Sequence, residues 1–296
     1  MATKLKYLDP ATLLKLGKLP LRAKYVVEGV ISGMHKSPSK GYSLEFAQHR
    51  EYSQGDELRH IDWKVFGRTD RFFVKQYEEE TNLRAYILLD TSNSMAFKSE
   101  NNIDKFTYGI NLAACLSYLL LRQEDSVGLT VFDEKIGKFI TPRAQFDQFS
   151  NIVKTLENIS PSSTTGISKV LNEFSSHLKR RGLIMLISDL FDSPQEVIRS
   201  LKQLRFKHHD VVVFQLLDPQ ESNFDYSGPV IFEGLETPDS VQTETDDIHT
   251  QYKNLFDRFI DEYKTGFRSS GIDYYPIMTN TPIELALWSF LAGRKK

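Results

Sequence analysis

Residues 85–94 read AYILLDTSNS. Five apolar residues, Ala85 to Leu89, run into a carboxylate at Asp90, and a hydroxyl-rich loop follows, Asp90-Thr91-Ser92-Asn93-Ser94. Downstream, Phe106, Ile110, Ala113, Leu116 and Leu120 recur at steps of three and four, the spacing of one helix face. The stretch therefore reads as strand, loop, helix. The same alternation continues outward. Val127 to Phe132 (VGLTVF) is a second strand and Lys138 to Thr141 a third, antiparallel one. Phe146, Ile152 and Leu156 mark a helix, as do Ile167, Val170, Leu171, Phe174 and Leu178. Leu183 to Ser188 (LIMLIS) is a buried strand running into Asp189, and Val197, Leu201 and Leu204 are helical. Val211 to Leu217 (VVVFQLL) is a strand that meets Asp218. A regular apolar stripe from Ile248 through Tyr252, Phe259 and Tyr263 to Phe267 predicts a long helix whose aromatic side chains are core. Ile272 to Met278 and Ile283 to Leu291 close the chain as strand and helix.

Continuous apolar strands alternating with helices imply an α/β protein with a doubly wound, mostly parallel sheet covered on both faces. Such sheets bind ligands beyond the carboxyl ends of the strands, where the strand order switches. Asp90 and Asp189 fall at that edge. The texture changes near residue 81. We expect an extension over residues 1–80, with a strand at Tyr25 to Ile31 (YVVEGVI), and the α/β domain over 81–296. Between about 219 and 247 the alternation breaks at Gly228-Pro229, Gly234 and Pro238, around the short run Val230 to Phe232, which reads as an inserted loop or hairpin.

Composition removes several function classes. The chain has 296 residues, 40% hydrophobic and 26% charged, with a net charge of −2, so no global field draws it to nucleic acid or an anionic membrane. The basic run Lys179-Arg180-Arg181 sits at a helix end, where cations suit the dipole. The single cysteine, Cys115, permits no internal disulfide and lies on an apolar helix as an inert buried thiol. No apolar run approaches the ~20 residues of a membrane span, and no leader pattern opens the chain. The expectation is a soluble, cytoplasmic protein with no membrane insertion of its own. There is no Gly-x-x-x-x-Gly-Lys-Ser/Thr loop, no Gly-x-Ser-x-Gly elbow and no Cys/His pattern for zinc.

The chemistry concentrates in three segments. Asp90, Ser92 and Ser94 place one carboxylate and two hydroxyls on alternate residues of a tight loop. Ser162-Ser163-Thr164-Thr165 forms a second polar loop, and Asp189 ends the strand at Ser188. All are hard oxygen donors, which suit Mg²⁺ or Mn²⁺ over zinc. Plainer roles stand beside this one. Asp90, Ser92 and Ser94 make an Asx/Ser turn that caps the next helix, Thr165 is an N-cap, and Asp189 caps the following turn.

The order and spacing of Asp90, Ser92, Ser94, a loop threonine and Asp189 resemble the metal-ion-dependent adhesion site of von Willebrand factor A-type domains, built on a Rossmann-type sheet. Thr165 fits the T-x-x-x-x-A-L register of that family, with Val170 in the alanine place and Thr164 as the alternate. The family usually carries Gly-Gly before the threonine, where Ser163 and Thr164 stand here. Upstream, residues 41–63 read GYSLEFAQHREYSQGDELRHIDW, followed by Arg68 and Val74-Lys75-Gln76. This block is similar to the signature of a bacterial family of unknown function, domain of unknown function fifty-eight, which joins it to a von Willebrand A-type domain. Within the block, Arg50, Asp56, Arg59 and Asp62 suit a structural ion-pair network, or a surface for a partner, and Trp63 suits a core anchor. His49 and His60 suit structural hydrogen bonds.

The resemblance implies a non-enzymatic interaction module. Asp90, Ser92, Ser94 and Thr165 would hold Mg²⁺ or Mn²⁺ with Asp189 nearby, and an acidic side chain of a partner would take the open position. It further implies a MoxR-type AAA+ ATPase, or that ATPase's client, as the partner of a chaperone-like factor. The alternative is a metal-dependent, phosphatase-like hydrolase using the same site. Ser92 stands where a dehalogenase-type phosphotransferase needs its second aspartate, so that chemistry lacks an acid. A scaffold with a vestigial site is the third reading.

Overall fold

The computed structural model describes residues 8–35, 49–51, 63–69, 71–75, 83–100 and 102–293. By its internal contacts the chain forms two compact units, residues 34–82 and residues 1–33 together with 83–296.

The larger unit is built on a six-stranded sheet. Its strands are β3 (Arg84–Asp90), β4 (Ser126–Phe132), β5 (Ile136–Arg143), β6 (Leu183–Ser188), β7 (Asp210–Leu217) and β10 (Asp273–Met278), in the spatial order β10-β7-β6-β3-β4-β5. All neighbours pair in parallel except β4 and β5, which are antiparallel. Every residue of β6 is buried, and all of β3 after Arg84, so both faces of these strands are covered. On one face Tyr86, Leu88, Ile184, Leu186, Val211 and Val213 join side chains of α6 (Ile167–His177), α7 (Pro194–Phe206) and α9 (Thr245–Arg268) in one core. On the other lie α4 (Lys105–Arg122) and α10 (Ile283–Gly293). Gly109 brings α4 down on the sheet, since a Cβ there would sit 3.0 Å from a Leu89 methyl and 3.4 Å from Leu216. Phe290 of α10 meets Phe214 edge-on at 5.8 Å. The α/β class and the mostly parallel sheet thus agree with the sequence.

The chain runs from β3 outward to β4 and β5, then crosses back to place β6 on the other side of β3. This reversal is the topological switch point, and the carboxyl ends of β3 and β6 open the crevice where such sheets bind ligands. Between β7 and α9 lie the short α8 (Pro219–Asn223) and a hairpin, β8 (Pro229–Glu233) with β9 (Ser240–Glu244). Among the described residues the hairpin strands pair with each other alone.

Two expectations are corrected. Tyr25 to Ile31 is not a strand. It lies inside α2 (Leu19–His35), which follows α1 (Pro10–Leu14), and Ala23, Val26, Val27 and Val30 are buried at helical steps. The alternation of YVVEGVI satisfies period two over a few residues, but the longer stretch repeats at three and four. Trp63, expected as a core anchor, is 61% exposed. It opens α3 (Trp63–Thr69) and touches Phe66 and Phe72 edge-on. In the smaller unit β1 (His49–Glu51) pairs antiparallel with β2 (Phe73–Lys75). Asp56, Arg59, His60 and Asp62 lie outside the described residues, as do the side chains of His49 and Arg50. Of the aromatic stripe on α9, Phe256, Tyr263 and Phe267 are buried and Tyr252 and Phe259 half-buried. Cys115 is buried, which pushes its thiol well above the usual range.

Candidate metal centre at the switch point

β3 delivers Asp90 fully buried, 0% exposed, at the carboxyl end of the sheet. Its Oδ1 accepts the Ser92 backbone N–H at 2.9 Å, an Asx-type turn that bends the chain out of the strand. The bend brings the hydroxyls of Ser92 and Ser94 to 3.0 Å from each other, both buried. A 3-10 turn, Asn93–Ala96, carries the chain on towards α4.

The loop before α6 is laid along this turn by backbone hydrogen bonds. The N–H of Ser162 donates to the Thr91 carbonyl at 2.8 Å, and the N–H of Asn93 donates to the Ser163 carbonyl at 3.0 Å. Ser163 occupies the left-handed region (φ 59°), the conformation glycine adopts without strain. Following this turn, the Thr165 hydroxyl donates to Asp90 Oδ2 at 3.3 Å, while Thr164 is exposed. Residues from two separated segments therefore meet at Asp90.

The third segment contributes through a residue the sequence reading missed. Ser188 donates to Asp90 Oδ2 at 2.6 Å and accepts the Leu190 N–H at 2.9 Å. Leu190 is itself left-handed (φ 62°), and its carbonyl accepts the Tyr263 hydroxyl at 2.9 Å. Ser188 was legible only as the one hydroxyl in an otherwise apolar strand. Asp189 points elsewhere. Its Oδ2 pairs with Lys105 Nζ at 2.8 Å, and the same ammonium pairs with Glu221 at 2.7 Å. Lys105 opens α4, is completely buried and lies 4.6 Å from the centre of the Phe191 ring. The structure thus brings Asp90, Ser92, Ser94 and Thr165 together and holds Asp189 beside them on an ammonium. A single lysine at the head of the apolar run KFTYGINLAACLSYLLL was the available signal for Lys105.

Burial drives the electrostatics, and the neighbouring Asp189 adds to it. Together they raise the Asp90 carboxyl to about 7, against donation from Ser188 and Ser92. Burial alone would pull Lys105 down, but Asp189 and Glu221 outweigh it and raise the ammonium. Burial likewise raises Glu221, partly offset by Lys105. Asp189 and Glu221 share one ammonium, and Asp90 beside them pairs with none among the described residues. Asp218, at the end of β7, is satisfied separately by Ser99, Asn102, Thr279 and the Gln220 N–H.

This donor set fits a hard divalent cation. It offers carboxylate and hydroxyl oxygens with an excess of negative charge, and among the described residues no basic side chain pairs with Asp90. Among the same residues no three His, Cys, Asp or Glu side chains gather as a metal-holding group, so hydroxyls would have to complete the shell. No helix among them is long and apolar enough to cross a membrane.

The chain is 24% identical over 232 residues to the uncharacterized protein Mb1516 of Mycobacterium bovis, covering 77% of this chain and 72% of that one. It matches the uncharacterized protein Rv1480 of Mycobacterium tuberculosis to the same extent. Among solved structures it is similar to the conserved hypothetical protein BatB from Bacteroides thetaiotaomicron, at 17% identity and a TM-score of 0.45 over 71% of this chain and 98% of that one. An aerotolerance-related membrane protein from Bacteroides fragilis gives the same identity and TM-score over 71% and 99%. The family model described as "Protein of unknown function DUF58" matches residues 48–260, a span that holds the whole Asp90 constellation, and the chain belongs to that family.

Proposed function

We propose that this protein is a non-enzymatic interaction module of the von Willebrand A-like, Rossmann-type class, which captures a partner through a divalent cation at the Asp90 site. The observation that carries the reading is the convergence of Asp90, Ser92, Ser94 and Thr165, from separate loops, at the switch point of a parallel sheet. Asp90 would ligate directly, with the two serine hydroxyls and Thr165, while Asp189, anchored on Lys105, would order the outer shell. Bound Mg²⁺ or Mn²⁺ supplies a positive centre with a position left for an incoming carboxylate. The chain's own part is to hold the donors in place: the Asp90 turn fixes the serines, the Ser162–Thr91 and Asn93–Ser163 bonds fix the threonine loop, and Ser188 fixes the carboxylate.

The partner we propose is a MoxR-type AAA+ ATPase or its client, with this chain as a cytoplasmic adaptor or chaperone-like factor. Affinity capture from native extract, with Mg²⁺ or with a chelator, tests it. The companion ATPase should be retained with Mg²⁺ and lost with the chelator, and lost in both when Asp90→Ala is the bait. Retention of the ATPase by Asp90→Ala would overturn the reading. Mg²⁺-dependent hydrolysis of a phosphomonoester that disappears in the same variant would favour the hydrolase instead.

A further inference from the structure

Glu236 lies in the turn between β8 and β9, more than forty residues beyond the last strand-end of the site. Leu235, Thr237, Pro238 and Asp239 around it are exposed, but Glu236 is half-buried. Its carboxylate bridges the two loops that frame Asp90. Oε2 accepts the Thr165 N–H at 3.0 Å, and Oε1 accepts the Ser94 N–H at 3.4 Å. Ser94 and Thr165 are two of the site's hydroxyl donors. One inserted carboxylate therefore sits across the rim on which an incoming carboxylate has to land.

The element that carries it is suited to move. β8 and β9 form a two-stranded sheet separate from the main one, and such a hairpin is marginally stable by itself. Ile231 and Val241 on its strands and Leu235 in its turn are exposed. Its base is tied by Thr245, which donates to the Gly228 carbonyl. Phe232, one ladder pair from the turn, packs against Phe224 and Tyr226, so lifting the turn from the rim has to slide or part this one aromatic contact.

We infer that Glu236 is an internal carboxylate latch, which occupies the rim of the Asp90 site until an acidic side chain of a partner protein displaces it. The inference rests on the reading of that site as a cation-dependent carboxylate trap. Displacement clears the rim over which the partner's carboxylate reaches the cation, so only chains with the latch open are competent and the partner's apparent affinity falls accordingly. A carboxylate held by two backbone N–H groups makes the closed fraction large.

The test titrates the full chain with Mn²⁺ alone, then with a hexaglutamate peptide at saturating Mn²⁺, for the parent protein, Glu236→Ala and Glu236→Gln. Amide hydrogen exchange is followed at Ser94, Thr165, Ile231 and Val241. The parent and Glu236→Ala should both bind Mn²⁺. Glu236→Ala should bind the peptide about tenfold or more tightly than the parent, with Glu236→Gln in between. Without peptide, Ser94 and Thr165 should exchange faster in Glu236→Ala. Peptide added to the parent should protect Thr165 and speed exchange at Ile231 and Val241 as the hairpin lifts. Equal or weaker peptide binding by Glu236→Ala, with Mn²⁺ still bound, would make Glu236 a fixed brace and overturn the latch alone. Loss of Mn²⁺ binding in every protein, the parent included, would overturn the site reading and the latch with it.

Discussion

The carboxyl ends of β3 and β6 are neighbours in one parallel sheet, and each presents a fully buried aspartate. Their surroundings differ. Asp189 has a buried ammonium at 2.8 Å, so its charge is compensated inside the protein. Among the described residues Asp90 has neutral donors alone, from Ser92, Thr165 and Ser188, and it is raised to about 7. A buried ion pair is finished structure, since each partner answers the other's loss of solvent. A buried carboxylate held by hydroxyls and amides alone has no internal counter-charge, so it holds its proton to higher pH. Two similar strand ends thus divide into a structural end and, on the function proposed above, a binding end.

Breaking the structural end should have the largest effect. Lys105→Met strands Asp189 and Glu221 without their ammonium and should cost about 3–5 kcal/mol, read from the midpoint of denaturant unfolding. The binding end should respond in the opposite direction when no divalent cation is present. Because the folded-state value of Asp90 lies above its unfolded one, folding retains a proton that the unfolded chain releases. Stability in chelator is therefore full below about pH 4 and falls as pH rises towards about 7, by roughly 1.4 kcal/mol per unit. Asp90→Asn removes that slope and should stabilise the chelated protein at pH 8 by about 1–3 kcal/mol, allowing for one mismatched donor. Urea titrations across this pH range show whether the slope disappears. Ser188→Ala takes away the shortest donor to Asp90 and should cost about 1–2 kcal/mol, extending the decline to higher pH from the same onset. The smallest effect is expected at Ser163→Gly, which relieves a left-handed non-glycine residue and should raise stability by up to about 1 kcal/mol, seen as a thermal shift of a few degrees or less.

The two ends also differ in how far the sequence showed them. Asp90, Ser92 and Ser94 were legible because a short apolar strand fixes where its terminal residue lies, and alternate residues of the turn follow from it. Thr165 came from the resemblance to the T-x-x-x-x-A-L register of von Willebrand A-type domains, with Thr164 as the alternate. The Lys105 pairings were hidden, since a lone lysine at a helix start looks like a solvated end until α4 is laid against the sheet. Glu221 and Glu236 were hidden for the same reason: both lie in the stretch read only as a loop or hairpin, and long-range packing puts them at the site. Tyr25 to Ile31 shows the limit of pattern over seven residues, where periods of two and of three to four overlap. Trp63 shows that a large aromatic ring does not by itself imply burial.

Calorimetric titration of Mn²⁺ into the metal-stripped chain tests most directly the proposal that Asp90 binds a divalent cation. The account predicts one saturable site per chain at pH 8, weakened as pH falls below 7 with protons released on binding, and lost in Asp90→Ala. A parent protein that takes up no Mn²⁺, or an Asp90→Ala variant that takes it up as well as the parent, would contradict it.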